Sequence, residues 1–309
     1  MTSVVFMGTP DFSVPILEAL IQHYSVIGVV TQPDRPAGRG GKIRISPIKE
    51  IAIKHSIPVF QPEKLRKKSS IEALQQWKPD IYVVAAFGQI LPQVVLDIPA
   101  YGSINVHASL LPRWRGAAPI HAAIRSGDAE TGITIMKMDA GLDTGPMISQ
   151  RAIPIEADET AQSLHDKLAE LGANLLIETM PGYLSGEFSP QAQPEEGITY
   201  APQISKEEGV IDWERDTASI ERLVRAFTPW PGTFTFFRGK QLKILGGYTG
   251  EGNLKAGSVQ MLGNQVVIGT GQGVFCPTEV QLAGKKATPI TSFVNGYPDF
   301  IGTTLPDGI

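Results

Sequence analysis

Ser3-Val-Val-Phe-Met7, Val14-Pro-Ile-Leu-Glu-Ala-Leu-Ile-Gln-His23 and Val26-Ile-Gly-Val-Val-Thr31, read in succession, decide the fold. The first and third runs are short, apolar and rich in β-branched residues, as strands buried on both faces are. The segment between them carries its apolar residues at helical spacing. Working outward, residues 47–55 read as a helix, 59–60 as a strand, 71–77 as a helix and 81–86 as a strand. Regular strand and helix alternation predicts an α/β, Rossmann-like domain: a mostly parallel sheet with helices on both faces and its ligands at the carboxyl edge of the strands. Gly8 ends the first strand, but no Gly-x-Gly-x-x-Gly spacing follows. Pro10 also lacks the amide that a phosphate cradle would use, so no dinucleotide is expected.

At 309 residues the chain exceeds what one hydrophobic core comfortably holds. A helix over 160–180 is predicted, with Leu164, Leu168, Leu171 and Leu175 on its core face. The texture then changes to Ser189-Pro-Gln-Ala-Gln-Pro-Glu-Glu-Gly197, a linker composition. The expected organisation is a catalytic domain over 1–189, a linker over 190–205 and a smaller C-terminal domain over 206–309. In the last part a helix near 220–227 precedes short strands at 234–237, 242–245, 258–262, 265–268, 274–275 and 279–282. That spacing predicts a small closed β-barrel, with Gly269-Thr-Gly-Gln-Gly273 as a hairpin turn.

The composition, 42% hydrophobic and 19% charged, is that of an ordinary globular protein, and no apolar run is long enough to span a bilayer. Met1-Thr-Ser-Val-Val-Phe enters a strand without a preceding basic region, so a cytoplasmic location without a secretory signal or membrane is expected. A single cysteine, Cys276, excludes an internal disulfide and reads as a buried small hydrophobe. A net charge of −4 argues against a general nucleic-acid binder. Locally, however, Arg35, Arg39, Lys42, Arg44 and Lys49 lie among Gly38, Gly40 and Gly41 without an acid. This basic loop reads equally as a solvated surface loop or as an RNA contact.

Chemistry concentrates in Gly102-Ser-Ile-Asn-Val-His-Ala-Ser-Leu-Leu-Pro112 and Asp139-Ala-Gly-Leu-Asp-Thr-Gly145. Residues i and i+2 of a strand share a face, so Asn105 and His107 should line one cavity. An amide donor, an imidazole that titrates near neutrality and a carboxylate are the parts an acyl-transfer site needs to hold an oxyanion and move a proton. The spacing of Asp139 and Asp143 could mark a helical pair or a metal site, but Gly141 and Gly145 favour a loop and no further carboxylates complete an oxygen shell, so no metal is expected. Phe87-Gly-Gln-Ile-Leu91 ends another strand, and Phe87, Gly88, Ile90 and Leu91 are expected to wall the site. Arg113, Trp114 and Arg115 suit phosphate and stacking at an RNA or substrate entrance. His23, His55, His121 and His165 are expected to be structural.

At Asn-x-His-x-Ser-Leu-Leu-Pro and Asp-x-Gly-x-Asp-Thr-Gly the chain resembles the folate-dependent formyltransferases. Gly8-Thr-Pro-Asp-Phe-Ser-Val-Pro15, Thr31-Gln-Pro-Asp-Arg-Pro-Ala-Gly-Arg-Gly40, Leu111-Pro-Arg-Trp-Arg-Gly-Ala-Ala-Pro-Ile120 and Arg225-Ala-Phe-Thr-Pro-Trp-Pro-Gly232 extend the resemblance nearly end to end, toward members acting on aminoacyl-tRNA. The resemblance implies 10-formyltetrahydrofolate as formyl donor, initiator methionyl-tRNA as acceptor, and an OB-like barrel at the C-terminus. It assigns catalysis to Asn105, His107 and Asp143, leaving Asp139 structural. It also places Ser109, Leu110, Leu111 and Pro112 against the folate, and turns Arg35, Arg39 and Lys42 toward tRNA. A monomer is expected. Two competing readings are an amino-sugar or purine-precursor formyltransferase, which the basic loop and second domain disfavour, and a non-catalytic RNA-binding module, which leaves the polar trio unexplained.

Overall fold

The computed structural model describes residues 1–37 and 42–308. The chain divides into two compact units, the first formed by residues 1–119, 130–154 and 165–201, the second by 120–129, 155–164 and 202–309.

In the first unit the alternation read from the sequence becomes β1 (Ser3–Gly8), α1 (Val14–His23), β2 (Ser25–Val30), the short β3 (Arg35–Ala37) and β4 (Lys42–Arg44), α2 (Pro47–Lys54), β5 (Val59–Phe60), α3 (Lys68–Trp77), β6 (Ile81–Ala85), α4 (Gln93–Leu96) and β7 (Ser103–His107). Then come β8 (Arg115–Gly116), β9 (Glu130–Lys137), β10 (Met147–Pro154), α6 (Ala161–Ser185), whose first turn to Leu164 falls in the second unit, and β11 (Tyr200–Ala201); α5 (Pro119–Ser126), between β8 and β9 in the chain, also falls in the second unit from Ile120 on. The main sheet has the order β10-β9-β7-β6-β1-β2-β5. Its β5, β2, β1, β6 and β7 run parallel, and β9 and β10 add an antiparallel edge. Strand order reverses between β1 and β6, and loops at such a point part to leave a crevice at the carboxyl edge.

Strand β7 is buried along its whole length. Its alternation puts Ile104 and Val106 on one face and Ser103, Asn105 and His107 on the other. Helix α6 closes the apolar face at Gly172, where a Cβ would come within 2.9 Å of the Val106 side chain. That close approach requires glycine and fixes the strand from behind. Of the leucines expected on the core face of α6, Leu164, Leu168 and Leu175 are buried and Leu171 is partly so. Around β6, Val5, Met7, Val30, Leu74, Tyr82 and Val84 join Phe87, Leu91 and Val95 in one core cluster. Each such side chain contributes about 1.5–3 kcal/mol by leaving water.

The second unit contains α7 (Thr217–Ala226), β12 (Thr233–Phe237), β13 (Lys240–Gly250), β14 (Val259–Leu262), β15 (Gln265–Gly269), β16 (Val274–Leu282), β17 (Thr288–Pro289) and α8 (Ile290–Gly296). Its sheet is antiparallel, ordered β12-β13-β16-β15-β14, with β17 on β16. Two runs read as separate strands, 274–275 and 279–282, form the single strand β16 through Pro277. The turn expected after Gly269 joins β15 to β16, with the Thr270 amide donating to the Gly273 carbonyl. Cys276 is buried, and burial raises its thiol pKa. Residues 120–129 and 155–164, although early in sequence, belong here: Arg125 pairs with Glu208 at 2.9 Å, Arg225 donates to the Glu159 carbonyl at 2.9 Å, and Phe227 packs beside His121. Among the described residues no helix is long and apolar enough to cross a membrane.

Candidate active site

Asn105 and His107 stand at the carboxyl end of β7, opposite Met136 and Thr134 of β9, and both are buried. The loop between β9 and β10 carries Asp143 to the same face. The Asn105 amide lies 3.4 Å from Asp143 Oδ1, and His107 Nδ1 lies 3.7 Å from Oδ2. Oδ2 also accepts the Gly116 amide at 2.9 Å. A separation of 3.7 Å is within ion-pair reach but too long for a hydrogen bond. The opposite edge is committed, because Nε2 lies 3.0 Å from the Trp114 carbonyl. A carbonyl only accepts, so Nε2 carries a proton and Nδ1 is the nitrogen that faces the carboxylate.

Backbone strain collects here. Asp143 has φ +52° and Trp114 φ +62°, left-handed conformations that cost about 1–3 kcal/mol each for residues other than glycine. Asp139 organises the loop: its Oδ1 accepts from the Gly141 amide at 3.0 Å and from the Thr144 hydroxyl at 2.7 Å. No group of metal-ligating side chains occurs among the described residues.

Other expected residues fall in several places. Ser109 is buried, and its hydroxyl donates to the Arg113 carbonyl at 2.6 Å. The Leu111 amide donates to Thr134 at 3.1 Å, while the Leu111 carbonyl accepts from Gln150 at 2.8 Å. The Ser109 hydroxyl therefore closes the turn locally, while Leu111 ties it to Thr134 of β9 and Gln150 of β10. Leu111 is buried, and Leu110 and Pro112 are partly exposed. Phe87 and Leu91 point into the core cluster and Ile90 is exposed. The loop backbone is held where strand order reverses: the Phe87 carbonyl accepts from Thr9 and Gln32, each at 3.1 Å, and Gly88 takes φ +80°.

Arg115 corrects the reading of 113–115 as one entrance. It is buried, and its Nε and Nη2 donate to the Gln193 carbonyl oxygen at 3.1 and 2.8 Å, which leaves this guanidinium turned inward. Arg113 and Trp114 are partly exposed, with the Arg113 guanidinium 4.3 Å from the centre of the Trp114 ring. Arg35 is exposed at the start of a two-stranded hairpin formed by β3 and β4. Lys42 begins β4, and Arg39 lies outside the described residues. The foot of the hairpin is tied down by Asp34, which bonds both Lys49 and Gln61; these bonds hold its carboxyl below the usual range.

The segment expected to be a linker contributes to the site. Gln191 exchanges backbone hydrogen bonds with Met147, Thr199 Oγ1 accepts the Trp114 amide at 2.9 Å, and β11 pairs with β8. Gly116, at φ +116°, brings its backbone so close to the Ala201 carbonyl that a Cβ would sit 2.7 Å from it. The low hydrophobicity of 189–197 concealed these contacts, since they are made by amides and hydroxyls.

A family model described as formyl transferase matches residues 1–180, and one described as formyl transferase, C-terminal domain, matches 203–298. The chain is 48% identical over 308 residues to a methionyl-tRNA formyltransferase of Geobacter sulfurreducens, covering 98% of this chain and 96% of the relative. It is 49% identical over 296 residues to a methionyl-tRNA formyltransferase of Citrifermentans bemidjiense, covering 95% and 93%. Among solved structures, a sugar 3N-formyl transferase, WlaRD, superposes with TM-score 0.67 at 18% identity over 93% of this chain and 99% of that one. An N-formyltransferase from Helicobacter canadensis, in complex with folinic acid and dTDP-3-aminofucose, gives 0.66 at 19% identity over 93% and 100%. The structural likenesses establish a shared fold, and the two family models with the near full-length identities go further: the chain belongs to the formyl transferase family, among the methionyl-tRNA formyltransferases.

Proposed function

We propose that this enzyme transfers the formyl group of 10-formyltetrahydrofolate to the α-amine of initiator methionyl-tRNA, giving N-formylmethionyl-tRNA and tetrahydrofolate. The observation that carries the reading is the convergence of Asn105, His107 and Asp143 at the carboxyl end of β7 in a chain nearly half identical to methionyl-tRNA formyltransferases. The amine attacks the formyl carbon, and negative charge develops on the formyl oxygen. The Asn105 amide and a protonated His107 Nδ1 are the donors that stabilise it, and preorganised donors of this kind act mainly on the transition state. The attacking nitrogen forms the new C–N bond and releases a proton. Asp143 Oδ2 stands beside His107 Nδ1 to take part in that release. Breaking the bond from the formyl carbon to the folate nitrogen returns the electron pair to that nitrogen, which leaves protonated.

Ser109, Leu110, Leu111 and Pro112, with the backbone at Phe87 and Gly88, are proposed to frame the folate side. Arg35, Arg39, Lys42, Arg113 and Trp114 are proposed to face the tRNA. The protein is proposed to act as a cytoplasmic monomer. The test is transfer from an isotopically labelled formyl donor to charged initiator tRNA, charged elongator tRNA and amino sugars. Label on the methionine of initiator tRNA alone is expected. Label on an amino sugar with none on the tRNA would replace this reading with a sugar formyltransferase.

A further inference from the structure

Asp143 is presented to Asn105 and His107 from a left-handed backbone conformation, which aspartate tolerates better than most residues but which leaves its carbonyl to be held from outside the loop. Gln193 is placed to do so. Its amide nitrogen donates to the carbonyl oxygen of Asp143 at 2.8 Å and to that of Gly145 at 2.8 Å. One N–H serves each carbonyl, which uses the full donor capacity of the amide. Its carbonyl oxygen receives the two N–H groups from Arg115. Arginine offers only donors and the two loop carbonyls only accept, so the amide has a single orientation that satisfies all partners.

Arg115 and Gly116 are adjacent in β8, and they reach the two sides of the same residue. The Gly116 amide binds the Asp143 carboxylate, while Arg115 acts through Gln193 on the Asp143 carbonyl. We propose that Gln193 is a positioning residue for catalysis: with Arg115 behind it, it grips the Asp143 and Gly145 carbonyls and so fixes the Asp143 carboxylate against His107 and Asn105. The inference rests on the formyl-transfer reading of that trio. Removing the Gln193 side chain leaves its segment anchored, since Gln191 still pairs with Met147 on one side and β11 with β8 on the other. The effect therefore falls on the loop and not on the path of the chain.

The experiment compares the wild type with Gln193→Ala and Gln193→Glu in single-turnover formyl transfer at saturating donor and methionyl-tRNA. Gln193→Glu keeps an oxygen for Arg115 but sets an acceptor against two carbonyls, so restoring the Arg115 contact alone should not restore the rate. Both variants are expected to lose about 100-fold, the scale of a displacement of about 1 Å at a reacting group, with KM for each substrate within about 3-fold of wild type. In an Asp143→Asn background, Gln193→Ala should add less than about 3-fold, because the two changes remove one function. A near-normal rate in Gln193→Ala, or full additivity with Asp143→Asn, overturns the proposal. A normal rate in Asp143→Asn alone overturns the catalytic reading and this inference with it, and that result is distinguishable from failure at Gln193.

Discussion

Around the end of β7, the buried polar side chains are Asn105, His107, Ser109, Arg115 and Thr134; within the C-terminal strands they are Thr233 and Thr235. The threonines are satisfied inside their own unit: Thr233 donates to the Ile244 carbonyl, and Thr235 accepts from the Trp213 indole. Everything else in that core is aliphatic or aromatic, with Phe237 edge-on to Phe293, Tyr297 and Phe300. A buried hydroxyl with a partner costs little, whereas a buried imidazole and guanidinium demand specific partners and a strained loop. The first unit thus gathers polar groups at one strand end that stability alone would not select, whereas the strand core of the second is apolar and its buried Glu159 and Thr270 lie outside those strands.

The comparison breaks most severely at Phe237. Phe237→Ala should lower the unfolding free energy of the second unit by about 3–5 kcal/mol, read from urea transitions or hydrogen exchange. Transfer to a minimal methionine ester under native conditions should persist. Loss of both together would mean that the two regions do not divide the work in this way.

At the β7 end the signs reverse. Asn105→Ala, His107→Asn and Asp143→Asn should each slow single-turnover transfer by at least about 100-fold while unfolding midpoints stay near wild type. Midpoints that fell as steeply as those of Phe237→Ala would mark the trio as scaffold. A smaller effect separates Arg39 of the basic loop from Arg115. Arg39→Ala should raise the tRNA KM and reduce the logarithmic salt slope by about 1, leaving the minimal ester unaffected. Arg115→Ala should slow both acceptors, because its guanidinium is spent on Gln193. Kinetics at several salt concentrations with both acceptors decide between these patterns.

The smallest expected effect lies at the start of α7, where Asp216 caps the helix by accepting from the Ser219 amide at 2.8 Å. Asp216→Ala should cost about 1 kcal/mol at neutral pH. Hydrogen bonds from the Ser219 side chain and backbone lower the Asp216 pKa. A carboxylate with a depressed folded pKa contributes fully above its unfolded value of about 3.9, and loses that contribution as pH falls through the folded value. The gap between variant and wild type should therefore close as the pH of the urea series is taken below about 3.9. A gap that persists in acid would assign it to lost packing.

The parallel core was legible because buried strands declare themselves by composition. Runs such as 3–7 and 81–85 need only apolar, β-branched residues to be recognised, and the i, i+2 rule by itself puts Asn105 and His107 on one face. Helices α2 and α7 fell close to their expected bounds for a similar reason, since apolar periodicity is local. The 189–197 segment was misleading because polarity there signalled a tether, while its glutamines were hydrogen-bonding partners for residues 40 to 80 positions away. Arg113 and Arg115 looked equivalent in Arg-Trp-Arg because nothing local says which guanidinium turns inward.

By itself, then, the sequence determined the alternating elements, the polar trio and the family, all of which rest on short-range pattern and on the chemistry of single residues. Only the tertiary structure decided that residues 120–129 and 155–164 belong with the C-terminal sheet, that Leu111 is tied to Thr134 and Gln150, and that Gln193 stands behind Asp143. The physical reason is common to the three. Each depends on which distant donor meets which acceptor, and composition and periodicity, being local, carry no record of such pairings.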